Sequence, residues 1–187
     1  MAGSPVKGRS IVVGVCGSIA AFKAADVVSE LTQRGAIVTP IMTAGARKFI
    51  TALTLQTLSG RRVLTKNFDP DLISDPTHIQ LAKSTELVLI APATANVIGK
   101  MAGGIADDLL TTFVLAVRCP ILLAPAMNTQ MWTHPAVQSN VAALRSRGVK
   151  IVEPGEGRLA CGDTGAGRLS EPDELVRAVE VEMARRR

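Results

Sequence analysis

Short, continuously apolar runs alternate along this chain with segments whose apolar residues recur at helical spacing. The apolar runs are strand-sized, and they are "SIVVGV" (10–15), "AIVTPIM" (36–42), "ELVLIAP" (86–92), "CPILLAPAM" (119–127) and "VKIVEP" (149–154). The helical segments lie between them, at 18–35, 44–60, 94–117 and 135–148. Continuous apolar strands are typical of a parallel sheet that is buried on both faces. The pattern predicts an α/β fold, a doubly wound, Rossmann-like parallel sheet with helices on both faces.

The length and composition predict a single folded domain. The chain has 187 residues, of which 47% are hydrophobic and 20% charged, a balance typical of globular proteins. We expect a flexible N-terminus over 1–9 and one domain over 10–187. Its last helix is predicted to begin after Ser170, which has the chemistry of an N-cap.

Composition also excludes several classes of function. Aromatic residues are only 3% of the chain and tyrosine is absent, which argues against nucleic-acid binding by base stacking. The apolar runs are too short to cross a membrane. Three cysteines without CxxC or Cys/His spacing indicate neither a disulfide framework nor a metal site. These features, with a short polar N-terminus, predict a cytoplasmic protein. The net charge of +5 is scattered along the chain, and it would also suit a phosphorylated substrate.

The loop after the first predicted strand has the residues of a phosphate site. "GVCGSIAAFKAAD" holds Gly14 and Gly17 in a G-x-x-G spacing, followed by Ser18 at a helix start. Backbone N–H groups at a helix N-terminus bind phosphate. The second strand ends at Thr43, where a dinucleotide site would need an acidic residue, so a mononucleotide such as FMN is favoured over NAD. A purely structural glycine turn explains the loop equally well.

Two histidines precede or follow predicted strands. His78, in "DPTHIQLAKSTE", has the chemistry of a general base, but a histidine at a helix start is more often a surface or capping residue. His134 precedes a proline, which indicates a turn or a helix start.

Hydroxyl, amide and carboxylate residues follow the third and fourth predicted strands. Thr94, Asn96 and the pair Asp107-Asp108 are explained as helix caps without any ligand. Asn128 either caps a helix or binds a carboxylate through its amide, and the residue pattern leaves both alternatives open.

Five segments together resemble those of the homo-oligomeric flavin-containing cysteine decarboxylases. They are "GSIAA", "THI", "APATANVIGKMAGGIADDLLT", "APAMNTQMW" and "RLACGDTGAGRL", and the similarity runs from about residue 10 to 175. The resemblance implies FMN as cofactor and decarboxylation of 4′-phosphopantothenoylcysteine to 4′-phosphopantetheine in coenzyme A biosynthesis. The substrate is oxidised, loses CO2 to give an enethiolate and is reduced again.

The resemblance also implies roles for individual residues. His78 corresponds to the catalytic base, Asn128 to the amide that binds the substrate carboxylate, and Cys161 to a proton donor on a mobile lid at about 153–170. Further substrate contacts are implied at Met131, Arg158, Leu159 and Ala160. Flavin contacts are implied at Gly17, Ser18, Ile19, Thr43, Thr94, Ala95, Asn96, Val97 and Ala126.

Family members form trimers or multiples of trimers with FMN at the subunit interface, so the same assembly is expected here. Many bacterial members carry a second, CTP-dependent ligase domain. The chain is therefore expected to be either a stand-alone decarboxylase or the N-terminal part of a bifunctional protein. The alternatives are a flavin prenyltransferase, a peptidyl-cysteine decarboxylase and a non-enzymatic phosphatase-regulating subunit. No nucleic acid, membrane or metal is expected as a partner.

Overall fold

A parallel β-sheet forms the centre of the molecule. The computed structural model describes residues 4–67, 77–158, 162 and 164–186, and of Thr77, His78 and Arg158 it describes the backbone alone. The strands of this sheet are β1 (Ser10–Val15), β2 (Ile37–Met42), β3 (Leu87–Ala93), β4 (Ile121–Pro125) and β5 (Lys150–Ile151). They are parallel and are arranged in the order β2-β1-β3-β4-β5. The predicted parallel α/β sheet is confirmed.

Helices cover both faces of the sheet. They are α1 (Ala21–Gln33), α2 (Ala52–Ser59), α3 (Thr77–Ser84), α4 (Ala95–Gly103), α5 (Leu109–Ala116), α6 (Thr129–Trp132), α7 (Pro135–Ser146) and α8 (Pro172–Ala184), with a 3-10 turn at Ala46–Lys48. Side chains of α1, α2 and α8 form one core, and those of α4, α5 and α7 form the other. Within β1, Ile11 and Val13 belong to the first core and Val12 to the second. Every position of the strand after Ser10 is apolar because both faces are buried there.

Beyond the sheet, the chain forms a two-stranded antiparallel hairpin that the periodicity did not predict. The predicted strand over 149–154 is paired in the sheet only at β5, and Val152 still donates its N–H to the Leu123 oxygen at 2.9 Å. Pro154 has no N–H with which to continue the ladder. The hairpin then consists of β6 (Gly155–Arg158) and β7 (Thr164–Arg168). It occupies the segment that the resemblance assigns to a lid.

Both ends of the described domain make contacts that the sequence did not predict. Residues 4–9 pack on the domain, because Val6 is fully buried and the Gly8 N–H donates to the Gly35 oxygen at 2.8 Å. Ser170 is not the N-cap of α8, because the cap is Glu171. The Ser170 hydroxyl is buried and instead donates to the Glu153 oxygen at 2.7 Å. None of the described helices is long and apolar enough to cross a membrane.

Candidate functional site

A cavity of about 490 Å³ lies at the carboxyl ends of the strands. Its walls come from the loops that follow β1, β2, β3 and β4 and from the starts of the helices after them. The strand order reverses between β1 and β3, and in open α/β sheets ligands bind in the crevice at this switch point. The flavodoxin-like order 2-1-3-4-5 places FMN between the same two strands.

The structure brings most of the predicted flavin contacts together in this cavity, although they come from four separate parts of the chain. Those that line it are Gly17, Ser18, Thr43, Thr94, Ala95, Asn96, Val97 and Ala126. Ile19 is not among the lining residues, and 58% of its surface is exposed. Of the predicted substrate contacts, Met131 also lines the cavity. Asn128 follows directly after another lining residue, Met127.

Two glycines bring the loops after β1 and β2 into backbone contact. A Cβ added to Gly17 would lie 2.8 Å from the carbonyl carbon of Gly45 and 2.9 Å from its Cα. Real Cβ atoms do not approach backbone this closely, so Gly17 is required by packing whether or not a ligand is present. Gly45 and Ala44 also line the cavity, and the sequence reasoning missed both. A G-x-x-G search looks within one loop, whereas this contact joins two.

The start of α1 is suited to an anion. The Ser18 hydroxyl accepts the Ala20 N–H at 3.2 Å, and its carbonyl accepts the Ala21 N–H at 2.9 Å, which closes the turn into the helix. The first turn of α1 holds no acidic side chain, so the positive end of its dipole is not neutralised there. On the facing loop, Thr43 accepts the Ala46 N–H through its hydroxyl at 3.2 Å and so fixes the turn after β2. This wall of the cavity matches a phosphate group.

Several of the polar residues singled out in the sequence are helix caps. Thr94 accepts the Val97 N–H at 3.4 Å, and Asp108 accepts the Thr111 N–H at 2.8 Å. His134 accepts the Ala136 N–H through Nδ1 at 3.1 Å, which confirms its interpretation as the start of a helix. Asn128 caps α6 by accepting the Gln130 N–H at 2.8 Å through Oδ1. The cap holds the Asn128 amide at the end of β4, beside the cavity.

Lys100, Asp107 and Asp108, here termed the Lys100 cluster, place charges beside the cavity. The ammonium of Lys100 donates to both Asp107 carboxylate oxygens at 2.7 and 2.8 Å, and it lies 3.7 Å from Asp108 Oδ2. Its hydrogen bond to Asp107 raises the pKa of Lys100 and lowers that of Asp107. Lys100 and Asp108 both line the cavity. The sequence analysis did not select Lys100, although it follows the predicted flavin contact Asn96 by one turn of α4 and so lies on the same face of that helix.

A buried thiol lies at the same end of the cavity. Cys16 follows β1, is 1% exposed and lines the cavity. Burial raises its pKa to about 12, and the nearby Asp108 carboxylate acts in the same direction. At neutral pH the Cys16 thiol is therefore protonated and is a poor nucleophile.

The hairpin strand β7 packs on the loop that carries Asn128. The Met127 N–H donates to the Gly167 oxygen at 2.9 Å. A Cβ added at Gly165 would lie 2.5 Å from the Thr129 hydroxyl, and one at Gly167 would lie 2.4 Å from the Met127 oxygen. Gly167 also has a φ of +126°, which disfavours any side chain. These glycines of "GDTGAGR" hold the base of the hairpin against residues 127–129.

Lys23 connects the end of the hairpin to α1. Its side chain is buried, and its ammonium donates to Glu171 Oε2 at 2.9 Å and to the Leu169 oxygen at 3.4 Å. The ion pair lowers the pKa of Glu171. The exit of β7 and the start of α8 are thus fixed to the helix whose N-terminus forms the proposed phosphate wall.

The remaining predicted site residues lie outside the described residues. They are Leu159, Ala160 and Cys161, together with the side chains of His78 and Arg158. The backbone of His78 is at the second position of α3, and that of Arg158 is at the end of β6.

A family model described as Flavoprotein matches residues 3–183. The chain is 48% identical over 173 residues to the coenzyme A biosynthesis bifunctional protein CoaBC of Vibrio vulnificus (strain YJ016), covering 92% of this chain and 43% of that protein. It is 47% identical over 176 residues to CoaBC of Bacillus subtilis (strain 168), covering 94% and 43%. The chain thus spans less than half the length of these relatives.

Solved structures share the fold. A cysteine-to-serine mutant of PPC decarboxylase complexed with pantothenoylaminoethenethiol superposes with a TM-score of 0.83 at 29% identity, covering 94% of this chain and 98% of that one. The FMN-dependent cysteine decarboxylase SpaF superposes with a TM-score of 0.81 at 32% identity, covering 97% and 98%. The similarity extends over nearly the whole of each domain.

Proposed function

Because the chain belongs to the Flavoprotein family, we propose that it is an FMN-dependent decarboxylase of 4′-phosphopantothenoylcysteine, acting in coenzyme A biosynthesis. The observation that carries this proposal is the convergence of the predicted flavin contacts, from four loops, on one cavity at the β1/β3 switch point. The CoaBC relatives support the pathway, and the PPC decarboxylase structure supports the reaction.

The described residues fit FMN. The cavity volume of about 490 Å³ lies within the range of roughly 300–1,000 Å³ that is typical of cofactor pockets. The start of α1, with Gly17 and Ser18, would hold the phosphate. The α4 start, from Thr94 to Val97, and Ala126 would line the remainder. Two loops in backbone contact at Gly17 and Gly45 make this site rigid.

The chemistry requires a temporary electron sink on the substrate. FMN held in this site would supply this sink by taking up two electrons from the CH2–SH group of the substrate cysteine and giving them back at the end of the reaction. The oxidised carbon is a thioaldehyde, and loss of CO2 beside it gives an enethiolate because the C=S group accepts the electron pair. Return of two electrons with protonation gives the thiol product, so the reaction consumes no external oxidant.

The residues of this chain bind the substrate, orient it and exchange protons with it. In the proposal, Asn128 binds the departing carboxylate, for which its position at the end of β4 beside Met127 is suited. His78 acts as the base that removes a proton during substrate oxidation, and Cys161 donates the final proton. Arg158, Leu159, Ala160 and Met131 contact the substrate. The base of the hairpin is docked through Gly165 and Gly167 on residues 127–129, the loop that carries Asn128.

We also propose that this chain corresponds to the decarboxylase portion of a CoaBC-like protein, whose remaining length would supply the CTP-dependent ligase. We propose that the decarboxylase assembles as a trimer or multiple of trimers in the cytoplasm, with FMN at the subunit interface. Exposed apolar side chains support such a contact, because Ile19 and Phe22 near the start of α1 and Phe49 and Leu53 near the start of α2 are 48–72% exposed. Light scattering of the purified protein tests the assembly.

The Cys161→Ser variant tests the proposed reaction. With FMN and substrate under anaerobic conditions, this variant should oxidise and decarboxylate the substrate and then stop, so that an enethiol, two hydrogens lighter than the product, accumulates. Asn128→Asp, which places a carboxylate opposite the substrate carboxylate, should prevent the reaction before any CO2 is lost. Full conversion to 4′-phosphopantetheine by Cys161→Ser would contradict the role of Cys161.

A second function is favoured by the similarity to SpaF, a cysteine decarboxylase. A peptide with a C-terminal cysteine should therefore be tested beside 4′-phosphopantothenoylcysteine. Turnover of the peptide alone would assign the chain to peptidyl-cysteine decarboxylation.

A further inference from the structure

The Lys100 cluster places one cation and two carboxylates beside the proposed flavin cavity, and the chemistry described above assigns it no role. Lys100 and Asp108 line the cavity, whereas Asp107 holds the ammonium from the more exposed side. An ion pair on the surface would contribute little to stability. A charge at the wall of a cofactor cavity acts instead on the charge of the ligand.

We propose that the Lys100 cluster sets the affinity of the site for reduced relative to oxidised FMN. This inference rests on the proposed function, which requires FMN in the cavity. The Lys100 ammonium favours the reduced form, and the carboxylates of Asp107 and Asp108 moderate that preference.

The sign follows from the charge that reduction adds. Two electrons and one proton convert oxidised flavin into the anionic reduced form, which carries one more negative charge. A cation at the wall therefore stabilises the reduced form more than the oxidised form, and a carboxylate does the opposite. At an effective dielectric constant of about 20, one unit charge roughly 12 Å from the charge added on reduction changes the equilibrium about tenfold.

The geometry of the cluster explains why three residues are needed. The two Asp107 contacts at 2.7 and 2.8 Å fix the ammonium, which would otherwise move freely on a long side chain. Asp108 is held in turn by capping α5, where Oδ1 accepts the Thr111 N–H at 2.8 Å. The charges are thus oriented before the cofactor binds.

Substitutions can separate charge from structure at each position. Asp108→Asn removes the charge but keeps an oxygen that caps α5, because asparagine is as good an N-cap as aspartate. Lys100→Met keeps the length and apolar stem of the side chain, and Lys100→Arg keeps the charge. Arg9→Met is a matched control, since Arg9 pairs with Glu86 at the opposite, amino-terminal edge of the sheet.

The test measures the dissociation constants of oxidised FMN and of FMN reduced with dithionite, by anaerobic titration of each variant. Lys100→Met should lower the preference for reduced FMN by about tenfold, which equals a fall of about 30 mV in the two-electron potential. Asp108→Asn should raise that preference, and Lys100→Arg and Arg9→Met should leave it within about twofold.

Two results would overturn the inference. In the first, Lys100→Met weakens the binding of oxidised and of reduced FMN by the same factor. Lys100 would then act on the FMN phosphate or through packing, and not on the reduced flavin. In the second, Asp108→Asn changes neither affinity. A wild-type protein that binds neither form would instead refute the proposed function, so the two failures are distinguishable.

Discussion

The contact between Gly17 and Gly45 leads to a prediction about a single added methyl group. In Gly17→Ala, the new Cβ would meet the Gly45 backbone at 2.8 and 2.9 Å, where no flexible side chain can move aside. The loops after β1 and β2 must then separate by more than half an ångström to restore normal contact. Since both loops line the cavity, the substitution should act on FMN affinity as well as on stability.

The expected loss of stability is that of overpacking a rigid site, about 1–3 kcal/mol. For a domain of this size that corresponds to a fall in Tm of roughly 2–12 °C. Thermal unfolding of the protein without FMN isolates the packing effect, and titration with FMN measures the effect on the site. The dissociation constant should rise by at least about tenfold, because separation of the loops displaces the N–H groups at the phosphate wall.

Gly99→Ala is the matched control, because Gly99 is a helical residue of α4 whose added Cβ would lie 3.6 Å from Asn140 Nδ2, an ordinary contact. This variant should gain about 0.5–1 kcal/mol from helix propensity and should bind FMN as the wild type does. A Gly17→Ala protein as stable as the wild type and with unchanged FMN affinity would refute the argument from loop contact.

Three further predictions concern the hairpin and two titratable groups. Gly167→Ala should raise the KM for substrate, because a side chain at a φ of +126° is strained and its Cβ would push β7 away from Met127. Steady-state kinetics with an unchanged KM would contradict this. Lys23 lowers the pKa of Glu171, so the pair stabilises the fold above the unfolded pKa near 4.5, and that contribution disappears as the pH falls through the lower folded value. Glu171→Gln should therefore cost less than about 1 kcal/mol at pH 7 and nothing at low pH, and equal losses at both pH values in thermal melts would exclude the ion pair. Burial raises the pKa of Cys16 to about 12. Iodoacetamide at pH 8 should therefore label Cys16 far more slowly in the folded protein than in the urea-unfolded protein, as measured by peptide mass. Equal labelling rates would show that the thiol is accessible.

Most of the sheet could be predicted from sequence because its strands are buried on both faces. The β1 segment, "SIVVGV", is apolar after its first residue, and β3 at "LVLIAPA" is apolar throughout, which makes both runs recognisable without any alignment. The hairpin was not visible in this way. Its strands, "GEGR" and "TGAGR", hold glycine at alternate positions and bury little apolar surface, so periodicity carries no signal there.

The candidate site was predictable where residues follow strands and less so where they meet across loops. Ser18, Thr94 and Ala126 each follow a strand, and parallel strands bring their carboxyl ends to one edge. Gly45 belongs to the cavity because of a contact between two loops, which no local motif encodes, whereas Lys100 lies one helical turn after Asn96 and could have been found from that spacing. Ser170 shows that a local signal can also mislead. It has the chemistry of an N-cap, but the cap of α8 is its neighbour Glu171, and the Ser170 hydroxyl donates to the Glu153 oxygen instead.

The most direct test of the central claim is one anaerobic reaction of the purified protein with FMN and 4′-phosphopantothenoylcysteine, followed by visible absorption and mass spectrometry. The proposed function predicts a bound oxidised-flavin spectrum that is the same before and after turnover, and a product lighter than the substrate by the mass of CO2. Bound flavin with an untouched substrate would favour a peptidyl-cysteine decarboxylase or a flavin prenyltransferase. A protein that binds no FMN would contradict the account and would favour a non-enzymatic subunit.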